Sequence, residues 1–251
     1  MTLSDEYQRQ FAWRDWSKVF DLLPPLAGKT VLDLGCAIGD QAAELAARGA
    51  RVIGIELNEA LLATARARGI RNAEFRAGDL RALQAFGEPV DGIWCSFAPA
   101  YVPNLGPTLL SWKEHLEPGG WVALTEIDEL FGHEPVEPQT RALLDEHVRN
   151  CLAADRYDFR MGRELGRHLL QAGYELSNTL VLEDQEFSFD GPASAEVIEG
   201  WTARLDRMAV LQAFCGSNFD RVRADFLAAL AHPEHRSLTK VCCCIARWQP
   251  R

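Results

Sequence analysis

The stretch Val31-Leu-Asp-Leu-Gly-Cys-Ala-Ile-Gly-Asp40 constrains this 251-residue chain more than any other. An apolar run, long enough for a buried strand, ends in a glycine turn and opens directly into a helical pattern. Gly35 lets the chain turn sharply and lets a ligand lie against bare backbone, and Gly39 lets the next helix start close to that ligand. Units of this kind build open sheets of parallel βαβ repeats, where ligands bind outside the carboxyl ends of the strands. Glu56 ends the next apolar run, Val52-Ile-Gly-Ile-Glu56. It follows the start of the turn by about 20 residues, the spacing at which a carboxylate reaches both hydroxyls of a ribose.

The pattern repeats downstream. Apolar runs predict strands over 30–34, 51–56, 73–77, 90–96 and 121–127, separated by helices over 40–48, 58–68 and 105–116. Tyr7, Phe11, Trp16, Phe20 and Leu23 predict one helix over 4–23, ended by Pro24-Pro25. In the second half, helices are expected over 139–152 and 162–172 and strands over 174–182 and 237–248. Helical stretches over 193–214 and 219–230 lie between those two strands. The expected fold is a Rossmann-like, doubly wound, seven-stranded and mostly parallel sheet with a helical insertion before the last strand. It forms a single domain: an N-terminal helical cap over 1–27, a cofactor-binding core over 28–186, an insertion or lid over 187–236, and a last strand over 237–251.

Charge and composition narrow the partners. The formal net charge is −10 without a long Lys/Arg run, which disfavours nucleic acid. No run of about 18 apolar residues appears, so no membrane span is expected. Seven cysteines occur without a C-x-x-C pair, which gives zinc no spacing and suits packed thiols in a reducing cytoplasm. No metal site is expected.

Two cofactor classes use a glycine turn followed by a strand-end acid. A dinucleotide fingerprint places glycines where this chain has Gly35, Ala37 and Asp40. Two of the three differ, and Asp40 sets a negative charge where a pyrophosphate would lie. An adenosine carrying a positive or zwitterionic tail is compatible with the same turn. At this point the sequence resembles the class I S-adenosylmethionine-dependent methyltransferases of small molecules. The matching segments are residues 31–40, Val52–Glu56, Gly78-Asp79-Leu80, Val90-Asp-Gly-Ile-Trp94 with Ser96-Phe97, and Leu116-Glu-Pro-Gly-Gly-Trp-Val122. Residues 163–174 are similar to the helix before the sixth strand.

The resemblance implies S-adenosyl-L-methionine as cofactor, held by Asp33, Gly35, Cys36, Ala37, Gly39, Glu56, Leu57, Gly78, Asp79, Leu80, Ser96 and Phe97. Asp33 would orient the methionine part, Glu56 would take the ribose, Asp79 the adenine amino group, and Leu57 and Leu80 the adenine faces. It implies transfer of a methyl group to an O or N atom of a small metabolite. A nicotinamide-dependent oxidoreductase and a cofactor-binding protein that transfers no methyl are the alternatives.

Methyl transfer from a sulfonium chiefly requires alignment and exclusion of water, so a catalytic base is optional. The candidate base is His133. Trp13, Tyr101, Glu126 and Asp128 are candidates for the substrate, the two acids sharing one face of a strand end and suiting a cationic substrate. Tyr7, Phe11, Trp13 and Trp16 are candidates for a cap over cofactor and substrate, with Arg14 toward the cofactor carboxylate. Trp201, Arg204, Met208, Phe214 and Phe219 are candidates for an apolar pocket or a homodimer face.

Overall fold

A computed structural model describes residues 3–83 and 89–250. Met1, Thr2 and Arg251, at the ends of the expected cap and last strand, lie outside the described residues.

Strands β1 (Thr30–Leu34), β2 (Arg51–Glu56), β3 (Ala73–Ala77), β4 (Val90–Ser96) and β5 (Leu116–Asp128) are parallel neighbours in the order β3-β2-β1-β4-β5. The central strands β1 and β2 are buried almost throughout because helices cover both faces, whereas β3 at the sheet edge buries only Phe75. Alternate residues feed two cores: Val31 packs on one side of the sheet, and Leu32 and Leu34 on the other. Helices α3 (Asp40–Ala47) and α4 (Glu59–Ala67) follow β1 and β2. Asn58 caps α4 by accepting from the N–H groups of Ala60 at 3.0 Å and Leu61 at 3.3 Å.

The expected helix over 4–23 is two helices, α1 (Leu3–Ala12) and α2 (Ser17–Phe20). The break falls at Arg14, whose backbone bridges to Asp184 and whose guanidinium lies against that residue's carboxylate. Helix α5 (Leu105–Trp112) gives way to a 3-10 turn over 113–115, and β5 starts at Leu116, earlier than expected. A two-residue strand β6 (His133–Glu134) then leads to α6 (Pro138–Ala153), α7 (Met161–Gln171) and β7 (Glu175–Leu182). The insertion supplies α8 (Ala195–Arg207), α9 (Ala209–Cys215) and α10 (Phe219–Leu230).

The expected last strand is divided into β8 (Arg236–Ser237), which pairs with β6 outside the main sheet, and β9 (Lys240–Arg247). β9 lies antiparallel between β5 and β7 and completes the seven-stranded, otherwise parallel sheet. Its Cys243 and Cys244 are buried as packed thiols. Helices α1 and α8 lie over the carboxyl ends of the parallel strands, and α8 packs against α10 with Trp201 and Phe226 fully buried between them.

Candidate active site

A cavity of about 920 Å³ opens where β1, β2 and β4 end, roofed by α1 and α8. Its floor is the glycine turn. Gly35 has φ +74, and a Cβ there would lie 2.8 Å from the Cβ of Ala98, so only glycine fits without strain. The N–H groups of Gly35 and Cys36 both donate to the carbonyl of Ile55, at 2.8 and 3.1 Å, which ties the turn to β2.

Glu56 fastens the same turn from above. Its Oε2 accepts from the N–H of Ala37 at 3.0 Å and its Oε1 from the N–H of Asn58 at 2.8 Å. A carboxylate oxygen has two lone-pair sites, so each oxygen keeps one for a ligand donor. Such an acid, facing a cavity with both oxygens oriented and one acceptor site open on each, fits a ribose diol. Asp40 also lines the cavity, but Arg68 pairs with it at 2.7 Å, so the acid at the helix start is not the unopposed charge the sequence suggests.

Leu57 and Leu80 stand on the cavity wall with Gly78, Asp79 and Arg81. The indole N–H of Trp112 donates to the carbonyl of Leu80 at 2.8 Å and fixes that segment. Arg81 grips Asp79, with its Nη2 2.6 Å from Oδ2, and holds the Asp79 carboxyl below its usual range. An adenine amino group would share Asp79 with this arginine.

Ser96 and Phe97 line the cavity at the end of β4. The Ser96 hydroxyl is buried without a hydrogen-bond partner, which is rare unless a ligand or water supplies one. Five described non-glycine residues have positive φ, and three of them, Ala37, Phe97 and Asp155, line this cavity. Strain of this kind gathers where backbone is held for function.

Asp33 sits differently. It is 2 % exposed beneath the turn and does not line the cavity. Burial, then the nearby Glu56 and Asp40 carboxylates, push its carboxyl up to about 8, and its Oδ2 has no partner. It can reach a ligand only through the turn above it.

The other end of the cavity carries Tyr7, Gln10, Phe11 and Arg14 from α1 and the residue turn after it. Their spacing of three and four residues puts them on one helical face. Ile127 faces the same space. That placement decides the fate of its neighbours, because alternate residues of a strand point to opposite faces. Glu126 is fully buried on the other side and accepts from the N–H groups of Ala100 at 3.0 Å and Ile127 at 2.8 Å. Asp128 pairs with Arg163 of α7 at 2.6 Å. Neither acid lines the cavity, so neither is presented to a cationic substrate there. Trp13 lies under the Arg9 guanidinium at 4.8 Å and against α8 near Gly200, one turn position away from the cavity face. Tyr101 does line the cavity.

The structure also places His133 away from the cavity lining. It is fully buried, its Nδ1 lies 3.0 Å from Nε2 of His235, and Trp201 and Phe226 pack edge-on against its ring. Burial, then His235 and Arg141, push its pKa down to about 3. It is a neutral core residue that ties β6 to the segment before β8. Arg204 and Met208 of the insertion line the cavity, whereas Trp201 is core. Glu6, Gln10, Arg207 and the segment 155–157 also line it and carry no sequence signal, since they come from helices and a loop with no common motif.

A glycine turn bound to a strand-end acid, below a helical roof, defines an α/β nucleoside-binding protein of the doubly wound class. The family described as "Methyltransferase domain" matches residues 31–120. The ubiquinone biosynthesis O-methyltransferase of Aromatoleum aromaticum is 31 % identical over 175 residues, which cover 66 % of this chain and 71 % of that protein. The trans-aconitate 2-methyltransferase of Deinococcus radiodurans is 35 % identical over 105 residues, 41 % of this chain and 40 % of that protein. The crystal structure of an S-adenosylmethionine dependent methyltransferase from Mesorhizobium loti superposes with a TM-score of 0.56 at 20 % identity, covering 93 % of this chain and 97 % of its own. The chain belongs to the S-adenosylmethionine-dependent methyltransferases. Its cofactor is S-adenosylmethionine, and the nicotinamide alternative falls. No described helix is long and apolar enough to cross a membrane.

Proposed function

We propose that this enzyme methylates an oxygen or nitrogen atom of a small metabolite. The observation that carries the reading is the Glu56 carboxylate, fixed by Ala37 and Asn58 at the edge of a cavity whose far end is roofed by aromatic side chains. Glu56 would hold the ribose, Leu57 and Leu80 would flank the adenine, and Asp79 would accept from its amino group. The methionine part would lie on the turn from Gly35 through Cys36 and Ala37 to Gly39, beside Ser96 and Phe97. Asp33 supports the turn from beneath. The names of the relatives, an O-methyltransferase and a methyltransferase of trans-aconitate, support a small oxygen-bearing substrate.

When bound, S-adenosylmethionine supplies a methyl group already activated by its sulfonium. The protein's own residues bind, align and exclude water. Tyr7 and Phe11 of α1 and Met208 after α8 shield the cavity from above. No histidine lines it among the described residues, and Glu126, which accepts from two backbone N–H groups on the other face of β5, does not line it either. Alignment and desolvation therefore do the catalytic work, and a substrate proton leaves to solvent. Free thiols throughout the described chain support a reducing cytoplasmic setting.

The test is S-adenosylhomocysteine release across a panel of phenols, carboxylic acids and amines. Release with one or more acceptors supports the proposal. Cofactor binding without release on any acceptor contradicts methyl transfer to a small metabolite.

A further inference from the structure

The part of the cavity beneath α1 and α8 carries hydrogen-bond donors that the protein leaves unused. Four elements converge there: α1 brings Tyr7, the turn after β4 brings Tyr101, the loop before α7 brings Tyr157, and α8 brings Arg204. The rings of Tyr101 and Tyr157 meet edge to face with centroids 4.8 Å apart. None of the three phenol oxygens has a hydrogen bond to another described residue, and all three rings line the cavity. Tyr7, Tyr101 and Tyr157 all feel the charge of Arg204, which places the four groups around one space; the Glu56 charge also reaches Tyr7 and Tyr101, and that of Glu126 reaches Tyr101 and Tyr157.

Arg204 is anchored for presentation. Its Nε and Nη2 both donate to Oε1 of Glu186, at 3.2 and 2.7 Å, which fixes the guanidinium plane. Nη1 has no protein partner among the described residues and belongs to the side chain that faces the cavity. Arginine is permanently charged and cannot accept a hydrogen bond, so whatever meets Nη1 must offer an acceptor.

The acids at this end are already taken. Glu186 is held by Arg204 and lies 3.5 Å from Arg14, and Glu6 is held by both terminal nitrogens of Arg207. Asp155 also lines the cavity, but it is solvent-exposed and acts on Arg81, on the Asp79 side. Glu126 acts on Tyr101 and Tyr157 from the other face of β5 but does not line the cavity, so a cationic substrate would meet no unpaired carboxylate on this wall. An oxyanion would find a fixed guanidinium edge and three hydroxyls.

We propose, resting on the small-metabolite methyltransferase reading, that the substrate carries a carboxylate, held by Arg204 and by the hydroxyls of Tyr7, Tyr101 and Tyr157. Charge-assisted, partly desolvated hydrogen bonds of this kind discriminate strongly against a neutral isostere. The roof made by α1 and α8 thus reads the charge of the substrate, while the floor reads the nucleoside.

The experiment is calorimetric titration of the full chain saturated with S-adenosylhomocysteine. The probes are 4-hydroxybenzoate, 3,4-dihydroxybenzoate and fumarate, each beside its amide, and tyramine as the cation. The expected result is that at least one acid binds about tenfold or more tightly than its amide, with tyramine weaker still. Arg204→Met combined with Glu186→Gln, which leaves no unpaired buried charge, abolishes the preference. Tyr101→Phe and Tyr157→Phe, which keep the rings, each weaken acid binding by roughly threefold to tenfold. Equal binding of acid and amide, tighter binding of tyramine, an acid preference that survives the Arg204 variant, or no binding of any acid overturns the proposal. Failure of S-adenosylhomocysteine itself to bind overturns the cofactor assignment beneath it, and so separates the two failures.

Discussion

The carboxylate of Glu56, at the end of β2, accepts the backbone N–H of Ala37 at 3.0 Å across 19 residues of sequence. This contact joins the two parts of the proposed nucleoside site before any ligand arrives. The turn after β1 and the acid after β2 are held as one unit, so a ribose bound as proposed would meet acceptors already in place. Preorganisation of this kind lowers the ordering cost of binding.

Gly35→Val tests the floor. Valine would have to adopt φ +74 and would press on Ala98 at 2.8 Å. The expected outcome is complete loss of S-adenosylhomocysteine binding together with a destabilisation of about 1–3 kcal/mol. Calorimetry and urea unfolding read the two effects. Binding at wild-type affinity contradicts the placement of the methionine part on this turn.

Glu126 is a structural acid, and its loss should be felt in stability first. Replacing it by alanine leaves the buried N–H groups of Ala100 and Ile127 without acceptors. The expected cost is about 2–4 kcal/mol, since each orphaned donor loses on the order of 1–2 kcal/mol. Because Ala100 adjoins Tyr101, the KM for substrate should rise more than the affinity for cofactor falls. Urea unfolding and steady-state kinetics check this; an unchanged midpoint contradicts it.

The legible part of this molecule was the part made by local backbone chemistry. Strands β1 and β2, the glycine turn, the cap at Asn58 and the cavity-lining acid Glu56 each follow from a few adjacent residues. What escaped depends on partners far along the chain. The helix over 4–23 breaks because Arg14 pairs with Asp184 and Glu186. His133 turns inward because His235 meets it from the other side of the insertion. The parity of β5 could not be fixed from its sequence. The strand begins early, through Pro118-Gly119-Gly120, and its register with β4 shifts between Val90 and Gly92. One step of parity puts Ile127, rather than Glu126 and Asp128, into the cavity.

Asp33 predicts a specific dependence on pH. Its folded pKa is about 8 and its ordinary value is 3.8. Between these values the folded state keeps a proton that the unfolded state has released, so stability falls as pH rises through that window. Asp33→Asn removes this slope. Thermal unfolding should show the variant near wild type at pH 4 and progressively more stable than wild type, by up to a few kcal/mol, toward pH 8. A gap that does not grow with pH contradicts the burial assigned to this carboxyl.

His133 predicts the opposite slope at lower pH. Its folded pKa is about 3 against an ordinary 6.5, so the unfolded state takes up the proton first and stability falls as pH drops through that range. His133→Phe should shift the acid-unfolding midpoint to lower pH while leaving the methyl-transfer rate within about twofold of wild type, as expected of a residue outside the alignment machinery. A rate loss of a hundredfold would return this histidine to the mechanism.

The most direct test of the central claim is titration of wild type and Glu56→Ala with S-adenosylhomocysteine, with NADH alongside. Micromolar binding to wild type, no binding of NADH, and a loss of about 1.5–3 kcal/mol in the variant, the value of hydrogen bonds to a charged acceptor, are expected. Binding of NADH, or equal affinity of wild type and Glu56→Ala for S-adenosylhomocysteine, would contradict that claim.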